Sequence, residues 1–257
     1  MELEPYERFY YTYQTRGRGL TNAEDLTRAF ERQAHQYDEL IGPLLPKSGD
    51  ALDIACGYGN MLFYFRKHGL NASGFDLDPN QVGLARSIGL NARRGDLSTE
   101  LKTVRGVDVI SAMDVIEHLD RNDAVTLLRD IHSALSGEGM LLLRCPCADG
   151  FTGAHDVFND MTHRWGATSV VVRQMLLATG FRRVELVDLT VPRYPSGMRS
   201  RLRSAQIKLA RRMARFCLRL LSVQAPEIWS NSVLAVAWKG PGSSVQNNRL
   251  ADALSSS

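Results

Sequence analysis

From Asp50 onward the sequence alternates short apolar runs with stretches of helical periodicity, and few folds accommodate that order. "ALDIAC" leads into "NMLFYFRKHG", "NASGFDL" into "PNQVGLARSIG", and "NARRGDL" is followed by "VDVISAMD" and then by the helical "AVTLLRDIHSALSGEG". "GMLLLRCP" opens a long polar loop, "ATSVVVRQMLLATGF" reads as a helix, and "RRVELVDL" and "SVLAVAWKG" complete seven apolar runs. A strand that reaches a parallel neighbour through a helix is covered on both faces. The expected fold is therefore α/β: a doubly wound, Rossmann-like, seven-stranded and mostly parallel sheet with helices on both faces. At 257 residues and 44% hydrophobic composition the chain has the apolar surface for one such core.

Two segments add to that core. In "NAEDLTRAFERQAHQYDELIGPLLP" the residues Leu26, Phe30, Tyr37 and Ile41 recur at helical spacing, which predicts a helical lead-in or lid over residues 1–45. The core then occupies 46–192, a basic amphipathic helix 193–225, the last core strand 226–240, and an unstructured tail 241–257. In the basic segment Leu202, Leu209, Met213, Phe216 and Leu220 fall on one helical face, and Arg201, Lys208, Arg211, Arg212, Arg215 and Arg219 on the other. The net charge of +3 conceals this asymmetry: nine basic residues and no acidic one lie between Arg193 and Val223, and the rest of the chain is net acidic.

Such a helix either packs its apolar face on the domain or lies at an anionic membrane surface through residues 199–223. The N-terminus has no basic start followed by an apolar run, and no stretch reaches the roughly 18 apolar residues of a membrane span. The expected location is the cytoplasm, with peripheral contact at the inner face of the membrane. Cys56, Cys145, Cys147 and Cys217 show no C-x-x-C spacing, which supports neither a zinc site nor a disulfide framework.

The first strand ends in "DIACGYG". In a doubly wound sheet a ligand lies beyond the carboxyl ends of the strands, and glycines in the first strand-to-helix turn let the backbone approach it. Gly57 and Gly59 are placed for this, with Asp53 on the strand before them. A carboxylate there would repel a pyrophosphate, and no third glycine completes a dinucleotide fingerprint. The second strand ends in "GFDLD", where Asp76 can accept from both hydroxyls of a ribose. The third ends in "RGDL" with Asp96, and the fourth in "AMDVIEHL".

In this order and spacing, "DIACGYG", "GFDLD", "RGDL" and "SAMDVIEHL" resemble the class I S-adenosylmethionine-dependent methyltransferases over roughly residues 50–191. The resemblance implies S-adenosylmethionine as cofactor. It places Asp53, Ala55, Cys56, Gly57 and Gly59 beside the methionine moiety, with Asp53 at its ammonium. It also places Asp76 and Leu77 at the ribose, Asp96 and Leu97 at the adenine, and Met113 along the cofactor's edge. Cys56 and Tyr58 stand where smaller residues are common in that family, and Asn60 replaces a third glycine.

Methyl transfer from a sulfonium is an in-line displacement, and a hydroxyl acceptor must also lose a proton. Candidate bases cluster in "DVIEHL", with Asp114, Glu117 and His118, and in "AHDVFNDMTHRW", with His155, Asp156, Asp160 and His163. His163, His118 and Glu117 are the expected catalytic residues. An alternative joins Asp114, Glu117, His118 and His163 in a divalent-metal site, as the resemblance of this stretch to small-RNA 2′-O-methyltransferases and ubiquinone-pathway O-methyltransferases implies. Asp114 departs from their glutamate, so the primary expectation is no metal. The loop and helix from His155 to Asp188 loosely resemble methyltransferases of polysaccharide and cell-envelope sugar biosynthesis. The expected acceptor is a hydroxyl-bearing substrate, a sugar or glycan in preference to a small metabolite or quinone-like lipid. Nucleic acid is not expected, since no aromatic-interleaved basic motif is present. A cofactor-binding scaffold without catalysis is the remaining alternative.

Overall fold

The computed structural model describes residues 22–241. The start of the lead-in and nearly all of the expected tail lie outside them. Seven strands form one sheet in the order β3-β2-β1-β4-β5-β7-β6: β1 (Asp50–Ile54), β2 (Asn71–Asp76), β3 (Ala92–Arg94), β4 (Val107–Met113), β5 (Leu135–Pro146), β6 (Arg183–Asp188) and β7 (Ser232–Trp238). All neighbours pair in parallel except β7, which runs antiparallel between β5 and β6. The strand order reverses between β1 and β4, the point where ligands bind in sheets of this kind, beyond the carboxyl ends of the strands.

Successive residues of the central strands serve opposite layers. Leu141 and Leu143 of β5 join Ile54, Ile110 and Ala235 against α5 (Arg121–Ala134) and α7 (Ser169–Ala178), through Leu128, Ile131, Val172 and Leu176. Met140 and Leu142 join Val109, Leu234 and Trp238 on the other face, against α1 (Ala23–Ile41) and α2 (Asn60–Lys67). This period of two is the pleat of a strand covered on both sides. Three helices remain between or beyond the strands: α3 (Pro79–Ser87), the short α4 (Leu97–Thr103) and α6 (Gly153–Phe158), with α8 (Met198–Leu220) following β6.

The structure departs from the sequence-based expectations in four places. The helix expected over "AVTLLRDIHSALSGEG" ends at Ala134, and Leu135 already pairs with Val107 of β4. A Cβ at Gly139 would approach the Val107 carbonyl to 2.9 Å, so the glycine lets β5 run alongside its neighbour there. A helix follows β3, begun by the Asp96 side chain accepting from the Ser98 N–H. The loop after β5 contains α6. Lastly, the basic face of α8 is not uniformly solvated: Arg211 turns onto the domain and pairs with Asp188 at 3.0 Å. The Asp188 carboxylate, which also accepts from the Trp229 N–H at 2.6 Å, supplies a fixed partner for it.

The lead-in helix belongs to the core. Asn22 caps it by accepting from the Asp25 N–H, and Leu26, Phe30 and Ile41 are fully buried. Phe30 packs on Phe63 of α2 and lies stacked, 5.8 Å away, on Tyr58 of the glycine turn. The bulky Tyr58 is thus the docking surface of the lead-in. Replacing Phe30 by Ala should cost about 3–5 kcal/mol of unfolding free energy, as for other buried phenylalanines. An unchanged denaturant midpoint would show that α1 is an appendage.

Candidate active site

The glycine turn is held open by a carboxylate. After β1 the backbone enters the left-handed region at Ala55 (φ 50°), Gly57 (φ 52°) and Gly59 (φ 93°). At Gly57 a Cβ would meet the Gln81 Oε1 at 2.7 Å, so a side chain there would fill the cradle. The Gly57 N–H donates to Asp76 Oδ2 and the Asp78 N–H to Asp76 Oδ1, each at 2.8 Å. Asp76 therefore ties the end of β2 to the turn after β1, and each oxygen retains a further lone pair for a ribose hydroxyl.

Asp53 lies beneath this turn. It is buried, accepts from the Ser111 hydroxyl at 2.5 Å, and burial pushes its carboxyl up to about 7, with the charge of Asp76 adding to the rise. A buried carboxylate with one hydroxyl partner is suited to a cationic neighbour. Cys56 is buried against the same turn, Leu77 follows β2, and Met113 is the last residue of β4. Asp96 takes the Ser98 N–H and hydroxyl on one oxygen, so its first role is to begin α4, with Leu97 as that helix's first residue.

Beyond β4 a second group of residues assembles. Asp114 has a left-handed backbone (φ 55°) and its carboxylate is forked by the Arg144 guanidinium. Arg144 also donates to the Tyr37 hydroxyl of α1 at 3.0 Å. Its neighbours Asp114 and Tyr37 hold that guanidinium's pKa above the ordinary range in spite of burial. Asp114 is engaged by Arg144 and lies outside the converging ligand atoms of Glu117, His118 and His163. Sequence reasoning missed Arg144. The only signal was a lone cation at the carboxyl end of a leucine-rich strand.

Glu117, His118 and His163 converge. Their ligand atoms lie within 4.8 Å of one another, and the two imidazoles meet edge to face with centroids 4.9 Å apart. A backbone bond from the Arg164 N–H to the Glu117 carbonyl, 2.8 Å, draws the distant loop to this point. The proton positions follow from the partners. Thr162 Oγ1 lies 2.7 Å from Asp160 Oδ1 and 2.9 Å from His118 Nδ1. The carboxylate only accepts, so the hydroxyl proton goes to it and His118 Nδ1 must donate. His163 Nδ1 likewise donates to the Val157 carbonyl at 2.8 Å. His118 Nε2 is then left with a lone pair, and His163 Nε2 lies 3.6 Å from Asp160 Oδ2. Burial, then the neighbouring His163, lowers the pKa of His118 and keeps it neutral. Glu117 is buried with neither oxygen hydrogen-bonded, and burial followed by the Asp114 charge raises its pKa well above the usual carboxylate range. The remaining candidates, His155 and Asp156, stay outside this cluster.

Comparison with known proteins agrees with this architecture. Residues 23–189 match a family model described as a methyltransferase domain. Over 114 residues the chain is 25% identical to the Bacillus subtilis protein named "Putative methyltransferase YqeM", covering 42% of this chain and 46% of that one. The aligned stretch thus spans less than half the length of that relative. Among solved structures, a SAM dependent methyltransferase from Archaeoglobus fulgidus superimposes with a TM-score of 0.60 at 17% identity, over 92% of this chain and all (100%) of the other. A second, from Mesorhizobium loti, gives 0.52 at 18% identity over 77% and 95% of the two chains. With the glycine cradle and the Asp76 clamp in place, the family match identifies the chain as a member of the methyltransferase-domain family, a class I S-adenosylmethionine-dependent methyltransferase.

Proposed function

We propose that the enzyme methylates a hydroxyl oxygen, with a sugar or glycan as the preferred acceptor and His163 as the base. The observation that carries this reading is the convergence of two imidazoles, each held through Nδ1, beside Glu117 at the carboxyl end of β4. Asp53, Ala55, Cys56, Gly57 and Gly59 hold the methionine end of the cofactor, Asp76 and Leu77 the ribose, Asp96 and Leu97 the adenine, and Met113 the edge facing the acceptor. S-adenosylmethionine supplies an electrophilic methyl group on sulfur. The chain's own part is to align the acceptor oxygen with that methyl and to take its proton on His163 Nε2, while Val157 fixes the ring through Nδ1. Phe158 and Met161, largely exposed on the same loop, offer flat apolar contacts for the C–H face of a sugar ring. A quinone-like lipid or small metabolite would use the same surfaces, and a scaffold without turnover would lack the effect of His163 described below.

Support for a second reading comes from Glu117 itself. An unpartnered buried carboxylate beside two imidazoles is a donor set for a divalent cation, which would acidify a bound acceptor hydroxyl. Glu117, His118 and His163 would hold it, without Asp114. The same reading places the enzyme in the cytoplasm, in peripheral contact with the inner membrane face through residues 199–223. Consistent with a peripheral rather than a spanning contact, no helix among the described residues is long and apolar enough to cross a membrane.

Three outcomes test these assignments. Asp53 must be ionised to face an ammonium, and its carboxyl is raised to about 7, so cofactor affinity should be full above that pH and fall as pH drops through it. The fall should approach tenfold per unit, and calorimetry on Asp53→Asn should give weaker, flatter binding over the same range. A wild-type affinity that is level between pH 6 and 8 would remove Asp53 from the ammonium site. Replacing His163 by Gln should lower turnover about 10²-fold to 10⁴-fold with cofactor affinity nearly intact, and full retained turnover excludes it as the base. Titration with manganese or magnesium separates the two readings: heat of binding that disappears in Glu117→Gln establishes the cation site, and its absence in the wild type leaves the histidine alone.

A further inference from the structure

Helix α8 is turned the opposite way from an ordinary surface helix. Its inward side consists of Ser204, which is buried, with Ile207, Arg211, Ala214 and Leu218 partly covered. Arg211 is anchored by Asp188, and the guanidinium groups of Arg211 and Arg215 lie 5.6 and 6.0 Å from the Trp229 ring. The apolar row faces away from the domain. Met198, Leu202, Leu209, Met213, Phe216 and Leu220 are between 60% and 87% exposed. At 1.5 Å per residue, the 23-residue helix carries this row along about 34 Å.

A charged edge runs beside the row. Arg201, Arg212 and Arg219 fall on one line of the helix, adjoining the apolar residues, and none of them has an ion-pair partner among the described residues. A basin lined by Val191, Lys208, Arg211, Arg212 and Arg215 extends the positive surface toward the domain. An apolar ridge of this length exposed to water is unfavourable, and large apolar patches mark contact sites. The charge decides the occupant. A second copy meeting this face would oppose two helices that carry no acidic residue at all, whereas anionic lipid headgroups offer apolar depth under a layer of phosphate.

We propose that this face of α8 is a membrane-docking surface. Leu202, Leu209, Met213, Phe216 and Leu220 enter the interfacial layer of an anionic bilayer, while Arg201, Arg212 and Arg219 pair with lipid phosphates along its edge. The proposal deepens the peripheral placement given above by naming the inserted residues, and its test involves no methyl transfer. Arg203, near the start of α8, lines a cavity of about 200 Å³ together with Tyr37 and Arg144.

Co-sedimentation of the full chain with phosphatidylcholine vesicles, with and without phosphatidylglycerol, tests the docking. The wild type should bind the anionic vesicles, bind the neutral ones at least tenfold more weakly, and be partly released when salt shortens the screening length from about 8 Å to about 3 Å. The double change Leu209→Ser and Phe216→Ser should reduce binding at least tenfold with melting temperature and cofactor affinity unchanged, because both side chains are already in water. Changing Arg212 and Arg219 to Gln should weaken binding and flatten its salt dependence. Failure of the wild type to bind anionic vesicles at low salt overturns the proposal. So does binding that survives the Leu209 and Phe216 changes, or a wild-type dimer in sedimentation that the same changes dissociate. Loss of vesicle binding with intact methylation of a soluble acceptor would leave the catalytic assignment standing.

Discussion

The buried guanidinium of Arg144 joins the parts of the molecule that must meet for chemistry. It sits at the carboxyl end of β5, forks the Asp114 carboxylate at the end of β4, and reaches the Tyr37 hydroxyl on α1. A parallel sheet covered on both faces can present polar groups to a ligand only at its strand ends, so the acids gathered there need compensation. Asp53 and Glu117 are buried there, Asp114 is partly exposed, and the Arg144 charge opposes all three. The left-handed backbone of Asp114 is maintained within this lattice, where the Asp114 N–H also donates to the Arg144 carbonyl.

With Asp114 engaged by Arg144, the side chains that converge are those that follow it. Glu117 and His118 occupy a single 3-10 turn, Ile116–His118, which directs both side chains to one side. His163 comes from 45 residues later in the chain, and its arrival depends on the Asp160 and Thr162 turn and on the bond from Arg164 to Glu117. The loop does more than close the site. Through Thr162 it fixes the tautomer of His118, and through the Val157 carbonyl it fixes that of His163. Two rings that differ widely in sequence position are thereby set to present the same nitrogen.

Much of the sheet was legible because a covered parallel strand has a simple signature. Seven apolar runs became seven strands, and "DIACGYG" with "GFDLD" located the turn and its carboxylate clamp. What escaped depended on partners that periodicity cannot name. Nothing in "GMLLLRCP" shows that its arginine will choose Asp114, and so the metal set that included Asp114 could not be pruned from sequence. The helix after β3 was missed because seven residues are too few to show a repeat. The exchange at Tyr58 was readable only as a departure from pattern until Phe30 was seen stacked against it.

The basic helix shows why amphipathicity alone does not give orientation. Segregated faces state that two environments are needed, and a globular domain ordinarily supplies the apolar one itself. Here the domain offers α8 the opposite: Asp188, accepting from Trp229 and Ser230, and the Trp229 ring, which two arginines approach. Those groups are better partners for Arg211 and Arg215 than for leucine. Once the two arginines are engaged, the geometry of 3.6 residues per turn carries Leu209, Met213 and Phe216 to the outside whether or not anything waits there. The outward row therefore follows from one ion pair and one cation–aromatic contact, and the described part of the domain supplies the basic face of α8 rather than the apolar one with its partner.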